Sequence, residues 1–280
     1  MLSSIQNVLP PQSSPELSFI FSFFEKAAVI FRHHYLTALT KFETKSDATP
    51  VTLADTGIND LLIKMVEQHY PTHSIDGEES SLKKDSPYTW VCDPIDGTVP
   101  YTDGIPISVI SVALTKEGKT IVAAVYEVHS ERITCAELGK GTYCNGKKIM
   151  VHRHKLGEDL RSGIIFDSWP AESYAIVEPV TQLGIATNSY IRSFGCAVAG
   201  ALMVVRGLAA VHVFSGGAEK HVDTAATSLL VTEAGGKATD LFGNEQRYDG
   251  VVPVRGSILS NGVVHDVAVS YLKNSKKLRD

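Results

Sequence analysis

At 280 residues the chain has material for one large or two modest domains with a sizeable core. Its 44% hydrophobic and 20% charged residues are the mix of an ordinary globular protein, and a formal net charge of −5 leaves no basic footprint for nucleic acid or anionic lipid. Four widely spaced cysteines (Cys92, Cys135, Cys144, Cys196) form no C-x-x-C or His-Cys metal spacing, which suits reduced thiols in a cytoplasmic protein.

Residues 1–15 read as a loose leader, with no basic region ahead of its apolar residues and so no signal peptide. Ser14-Pro15-Glu16 is a helix start, and Ile20, Phe24, Ala27 and Phe31 recur at helical spacing on a core-facing stripe. The apolar run Leu17–Phe31 carries Glu25 and Lys26 and is too short to span a bilayer. His33 and His34 have no third ligand nearby and read as ordinary polar residues. After a turn-rich stretch at Lys45-Ser46-Asp47, a second amphipathic helix is predicted over Asp55–Tyr70, with Asp55 at its N-cap. Glu78 and Glu79 follow Gly77 in a polar stretch that reads either as a solvated loop or as one side of a cation site.

The segment W-V-C-D-P-I-D-G-T (Trp90–Thr98) is the centre of the chain. A buried strand over 89–92 is expected to stop at Asp93, because Pro94 keeps Asp93 extended and supplies no N–H. A strand that delivers two carboxylates, Asp93 and Asp96, and then turns through Gly97 suits a hard cation. If Gly97 and Thr98 open a helix, their amides face an anion. Three β runs follow at 107–115, 120–128 and 132–138, and Asn145-Gly146 signals a tight hairpin. Residues 151–160 are charged and irregular, a seam between two halves, roughly 1–150 and 151–280, of one domain. Beyond it strands are predicted over 162–166, 190–194 and 210–214, and helices over 172–183, over 197–209 and from Asp223 to Gly235-Gly236. Asp223, like Asp55, reads by itself as an N-cap.

The order of these acids and their surroundings resembles the inositol monophosphatase family, magnesium-dependent and lithium-sensitive phosphatases akin to fructose-1,6-bisphosphatases and bisphosphate nucleotidases. The matching segments are V-T-L-A-D (51–55), G-E-E-S (77–80), W-V-C-D-P-I-D-G-T (90–98), G-K-G-T-Y-C-N-G-K-K-I (139–149), R-S-F-G-C-A (192–197), and D-T-A-A followed by E-A-G-G (223–236). The resemblance implies an α+β fold, a five-layered α/β/α/β/α sandwich. It implies that Glu78, Asp93, the carbonyl of Ile95, Asp96 and Asp223 bind Mg²⁺. By the same resemblance Thr98, hydrogen-bonded to Asp55, orients and helps deprotonate the attacking water. Gly97 and Thr98 receive the phosphate, and Gly195, Cys196 and Ala197 line the substrate. The implied partner is a small-molecule phosphate ester, with no nucleic acid or membrane partner, and the implied assembly is a homodimer.

This chain departs from the family pattern in its specificity residues. Val99-Pro100-Tyr101 replaces an Asn-Phe lip, Cys196 takes a hydroxyl position, and Val222 takes an aromatic one. Gly216 stands where some inositol phosphatases carry a sugar-contacting acid. Glu219-Lys220 resembles the E-K-x-x-D of bisphosphate nucleotidases, where a lysine meets a second phosphate. The expected activity is hydrolysis of inositol monophosphate or a similar sugar or polyol phosphate. The alternatives are a 3′(2′),5′-bisphosphate nucleotidase, another small-molecule phosphatase acting on histidinol phosphate or fructose bisphosphate, or a non-catalytic binding relative.

Overall fold

Ser14 caps the first helix as its sequence predicts. In a computed structural model, which describes residues 5–35, 43–44, 50–168, 174–216, 221–249 and 254–276, Ser14 Oγ accepts the Leu17 N–H at 3.1 Å and Pro15 opens α1 (Pro15–His34). Ile20, Phe24, Ala27 and Phe31 are all fully buried. The described part of the leader, residues 5–15, makes contacts with the rest of the fold. Residues Ile5–Val8 form a 3₁₀ turn with Ile5 in the core, and the Ser14 N–H donates to both oxygens of Glu137 at 3.2 Å. Prolines at 10 and 11 fix their own φ and so lower the entropic cost of ordering a segment that turns at Pro11-Gln12, where Gln12 takes a φ of 57°.

Among the described residues, fifteen strands and six further helices order the rest. The first half holds β1 (Glu43–Thr44), β2 (Pro50–Val51), α2 (Leu53–His69), β3 (Ser74–Gly77), β4 (Ser81–Leu82), β5 (Tyr88–Asp96), α3 (Thr98–Thr102), β6 (Val109–Lys116), β7 (Lys119–Glu127), β8 (Arg132–Glu137), β9 (Gly141–Cys144) and β10 (Lys147–Ile149). The second holds β11 (Ile164–Asp167), α4 (Val177–Thr187), β12 (Ile191–Arg192), α5 (Ala197–Val205), β13 (Val211–Phe214), α6 (His221–Glu233), β14 (Lys237–Thr239), β15 (Ser257–Ser260) and α7 (His265–Leu272). One sheet runs β10-β9-β8-β7-β6-β5-β3-β4, antiparallel except where β3 joins β5; the other runs β12-β11-β13-β15-β14. β1 and β2 pair separately.

Alternation along the strands explains the layering. On β5, Trp90 and Cys92 join the core under α1 and α2, while Val91 joins the core under α5 and α6. A third core, with Val180, Leu183, Val213 and Ala268, lies between the second sheet and α4 and α7. The order is therefore helices, eight strands, helices, five strands, helices: the five-layered sandwich expected. With both faces of each sheet covered, the central strands carry near-continuous apolar runs.

Several boundaries differ from the sequence reading. α2 starts at Leu53 and its N-cap is Thr52, so Asp55 is the third residue of the helix. α4 starts at Val177 rather than at residue 172, and α5 stops at Val205, where Gly207 takes a left-handed φ of 67°. α6 includes His221, which puts Asp223 inside the first turn rather than at the cap. Asn145 and Gly146 both take positive φ, as the hairpin turn requires.

The most consequential difference is in β5, which does not stop at Asp93. It runs to Asp96, pairing Asp93 with Ser111 and Asp96 with Val109, and the register shift between those pairs is a bulge. The bulge absorbs Pro94, which has no N–H to give the ladder. It also has a geometric effect. Residues three apart on a regular strand face opposite sides of the sheet, and one extra residue brings Asp93 and Asp96 to the same side.

Candidate active site

The bulge aims Asp93 and Asp96 at the start of α6, where Asp223 meets them. The three side chains are buried, and one carboxylate oxygen of each lies within 4.8 Å of the others. Burial, then Glu78, Asp223 and Asp96, push the Asp93 carboxyl well above the ordinary range. Asp96 is raised to about 7 by burial and by Asp223, against the opposing hydrogen bonds of Cys196 and Val198. Asp93 Oδ1 is buried with no hydrogen-bond partner. Like-charged oxygens packed this closely, one without a donor, form a donor set for a divalent cation, whose charge would reverse the local pKa logic. All-oxygen ligation suits Mg²⁺.

Three further elements frame the cluster. Asn59 on α2 donates from Nδ2 to the Ser80 carbonyl at 3.1 Å and to the Ser80 hydroxyl at 2.7 Å, clamping the turn that carries Glu78. Gly77 permits this approach, since a Cβ there would lie 2.1 Å from Asn59 Oδ1. The Glu78 N–H donates to the Cys92 carbonyl at 3.1 Å, which seats that turn beside β5. His221 Nε2 lies 2.6 Å from Asp76 Oδ2 and ties α6 to β3. Neither Asn59 nor His221 had any motif to mark it.

Asp55 and Thr98 are not hydrogen-bonded to each other, contrary to what the resemblance implies. Asp55 Oδ2 accepts the Thr52 N–H at 2.7 Å and the Thr52 hydroxyl at 2.6 Å, while Thr98 Oγ1 donates to the Ile95 carbonyl at 3.1 Å. The capping box consumes Oδ2, the nearest carbonyl takes the threonine hydroxyl, and Asp55 Oδ1 is left buried with no partner. Burial raises Asp55 to about 7 against the Thr52 bonds, with Glu78 and Glu79 adding to the rise.

Gly97 turns the chain at φ 81° into α3, and a Cβ on it would lie 2.9 Å from Cys196 Cβ. This close approach places Cys196 against the end of β5. Its Sγ–H donates to Asp96 Oδ2 at 2.7 Å, and the Val198 N–H donates to the same oxygen at 2.7 Å. Burial and the neighbouring Asp96 push the thiol pKa well up, so it remains a donor. Cys196 therefore faces Asp96 through its side chain. Gly195 takes φ 70° and stands beside Pro100, and Ala197 opens α5. Gly216 also takes a positive φ, 73°, and a Cβ there would lie 2.5 Å from Gly256 N. Lys220 lies outside the described residues.

Residues 14–277 match the inositol monophosphatase family. The chain belongs to that family. Its members are metal-dependent phosphatases, and the buried acidic cluster is where a metal could sit. The chain is 31% identical over 207 residues to inositol monophosphatase 1 of Bos taurus, covering 71% of this chain and 73% of the relative. An inositol monophosphatase of Thermotoga maritima superposes with a TM-score of 0.79 at 25% identity, over 92% of this chain and 97% of that one. SaIMPase-II, solved with inositol monophosphate at 20% identity and with 2′AMP at 21%, has the same fold, with a TM-score of 0.76 over 93% of this chain and 94–95% of that one. Among the described residues of this inositol monophosphatase family member, no helix is long and apolar enough to cross a membrane.

Proposed function

We propose that the chain is a Mg²⁺-dependent phosphomonoesterase acting on inositol monophosphate or a related sugar or polyol phosphate. The observation that carries this is the cluster of Asp93, Asp96 and Asp223 beside the Gly97-Thr98 turn. In this reading Asp93, Asp96 and Asp223 hold magnesium, with Glu78 and the Ile95 carbonyl beside them. The bound ion supplies Lewis-acid charge to the phosphoryl and leaving-group oxygens and lowers the pKa of the attacking water.

The chain's own residues do the rest. The N–H groups at the start of α3 have no helical partner of their own, so those of Gly97 and Thr98 are suited to a phosphate. Thr98 turns its hydroxyl hydrogen from the Ile95 carbonyl toward Oδ1 of Asp55, so that Oγ1 accepts a proton from the attacking water as its own passes to Asp55. A carboxyl with a pKa of about 7 is matched to general-base work near neutrality. Gly195 and Ala197 present backbone to the substrate. Lithium inhibition, a cytoplasmic location and a homodimer belong to the same reading.

Gly216 bears on specificity. Glycine at this position cannot hydrogen-bond a polyol, and the Gly256 backbone excludes any side chain there, so one source of discrimination between alcohols is missing. A spread within about tenfold in kcat/KM across several sugar and polyol phosphates is the expected result, about 1.4 kcal/mol in transition-state binding. The second reading, a 3′(2′),5′-bisphosphate nucleotidase, is favoured by Glu219-Lys220. SaIMPase-II with 2′AMP is a precedent for a nucleotide ligand on this fold.

A phosphate-release assay with Mg²⁺ tests both. Inositol 1-phosphate, glycerol 2-phosphate, 2′-AMP and a 3′,5′-bisphosphate nucleotide are compared on the wild type and on Lys220→Ala. Similar rates for the first two, unchanged in the variant, support the first reading. A strong nucleotide preference that disappears in Lys220→Ala installs the second. No release from any substrate refutes both.

A further inference from the structure

Asp167 ends β11 with its side chain 1% exposed, outside the carboxylate cluster. Its Oδ1 accepts the Gly195 N–H at 2.9 Å and the Ser193 hydroxyl at 3.3 Å. Its Oδ2 lies 3.1 Å from Nε2 of His212, which is 1% exposed on the adjacent parallel strand β13. With the carboxylate as acceptor, Nε2 carries the hydrogen. A buried carboxylate with three donors is well satisfied, and two of the three come from the turn that leads into α5.

Gly200 lies over this pair. It stands inside α5, where glycine is less favourable than alanine. A Cβ at Gly200 would lie 2.9 Å from Asp167 Oδ2 and 2.9 Å from His212 Nε2. The Asp167–His212 pair therefore supplies a reason for an otherwise unfavourable residue. Directly beyond Gly195 come the Cys196 thiol and the Val198 amide, both of which bind Asp96 Oδ2. A continuous set of contacts thus runs from His212 through Asp167 and the 193–198 turn to Asp96.

We propose that Asp167, held by His212 and given room by Gly200, is a positioning residue of the active site. It fixes the Gly195–Val198 turn, so that the thiol of Cys196 and the amide of Val198 hold one oxygen of Asp96 and leave the other aimed into the cluster. This inference rests on the cluster being the metal-dependent site proposed above.

The test uses the full chain with Asp167→Asn, His212→Gln and Gly200→Ala. Hydrogen exchange of peptides covering 193–200 is followed on chelator-treated protein, Mg²⁺ affinity is measured by calorimetry, and kcat and KM are measured separately. Asp167→Asn is expected to speed exchange in 193–200 at least tenfold, leave β5–β8 unchanged, and weaken Mg²⁺ binding by about tenfold. Gly200→Ala, which leaves every charge in place, is expected to move both readouts in the same direction. That separates positioning from the loss of one negative charge near Asp96. His212→Gln, which retains a donor toward Asp167, is expected to stay within about threefold of wild type.

If Asp167→Asn and Gly200→Ala lower only the melting temperature, with exchange in 193–200 and Mg²⁺ affinity within twofold of wild type, the inference is overturned. If Asp167→Asn does not fold, Gly200→Ala and Ser193→Ala carry the same comparison. A wild type that neither binds Mg²⁺ nor releases phosphate refutes the proposed function, while the exchange measurement still decides whether Asp167 orders the turn.

Discussion

Asp55→Asn separates a helix cap from a general base, and the two roles predict opposite shifts in stability. The folded protein raises Asp55 from 3.8 to about 7, mainly by burial. A carboxyl raised in this way contributes fully to stability below its unfolded value and loses that contribution as pH rises through 7. At pH 8 the ionised group costs about 4 kcal/mol relative to the unfolded chain, at 1.36 kcal/mol per pKa unit. Asparagine carries no charge and avoids this cost. Its amide oxygen can take the place of Oδ2 and accept both Thr52 bonds, but Nδ2 then replaces the unpartnered Oδ1 as a buried donor without an acceptor, a cost of about 1–2 kcal/mol. The net at pH 8 is about 2 kcal/mol in favour of the variant, a rise in melting temperature of about 4–8 °C. At pH 4 only the cost of the buried amide donor remains, and the variant is expected to melt slightly below wild type. Calorimetry at pH 4, 6 and 8 in chelator measures this crossover. In the companion phosphate-release assay with Mg²⁺, kcat is expected to fall about 10²-fold or more, the range for loss of a general base. A variant that melts lower at both pH extremes and turns over normally would return Asp55 to the role of a cap.

Asp93→Asn is expected to abolish Mg²⁺ binding and nearly all turnover while raising the melting temperature of the chelated protein, because it relieves the repulsion that Glu78, Asp223 and Asp96 exert on Asp93; wild-type rates in excess chelator would contradict it. Gly216→Ala places a Cβ 2.5 Å from Gly256 N at a positive φ and is expected to cost about 3 kcal/mol, read as a lower urea midpoint at unchanged m-value. His265 is buried as a neutral ring: Thr239 spends its hydroxyl hydrogen on the Asp240 carbonyl, so Thr239 Oγ1 accepts from Nε2 while Ser260 donates to Nδ1. Burial, with Lys237 adding, lowers its pKa to about 4, so its contribution is complete above 6.5 and disappears as pH falls toward 4. The loss reaches about 3 kcal/mol, and His265→Asn, compared with wild type by urea unfolding at pH 7 and pH 4.5, is expected to lack that part of the acid slope.

How far the sequence carries depends on how local the governing physics is. Helix α1 was legible because its cap, its proline and its apolar stripe all lie within one segment. The sheets were legible as apolar runs between turns, and the layer order came from a resemblance rather than from periodicity. The sequence marks Asp93, Asp96 and Asp223, but not the reason Asp93 and Asp96 face the same way. Pro94 reads as a strand terminator from its missing N–H. In the fold it is the residue that a bulge accommodates, because the partner strand β6 continues past it.

The residues that sequence reasoning missed share one property: each is defined by a partner far along the chain. Asp167 and His212 are 45 positions apart, and Asn59 and Ser80 are 21 apart. Neither pair carries a motif, and a lone acid after a strand has no local signature of burial. Gly200 was a detectable anomaly, a glycine inside a helix that alanine would favour. Its explanation lay in the Asp167–His212 pair beneath it. Cys196 shows the complementary case. The motif around it marks its position, and the fold adds that its thiol donates to Asp96. A motif fixes where a backbone goes; which way a buried polar atom points is decided by the acceptor nearest to it, and here that acceptor is a carboxylate of the acidic cluster.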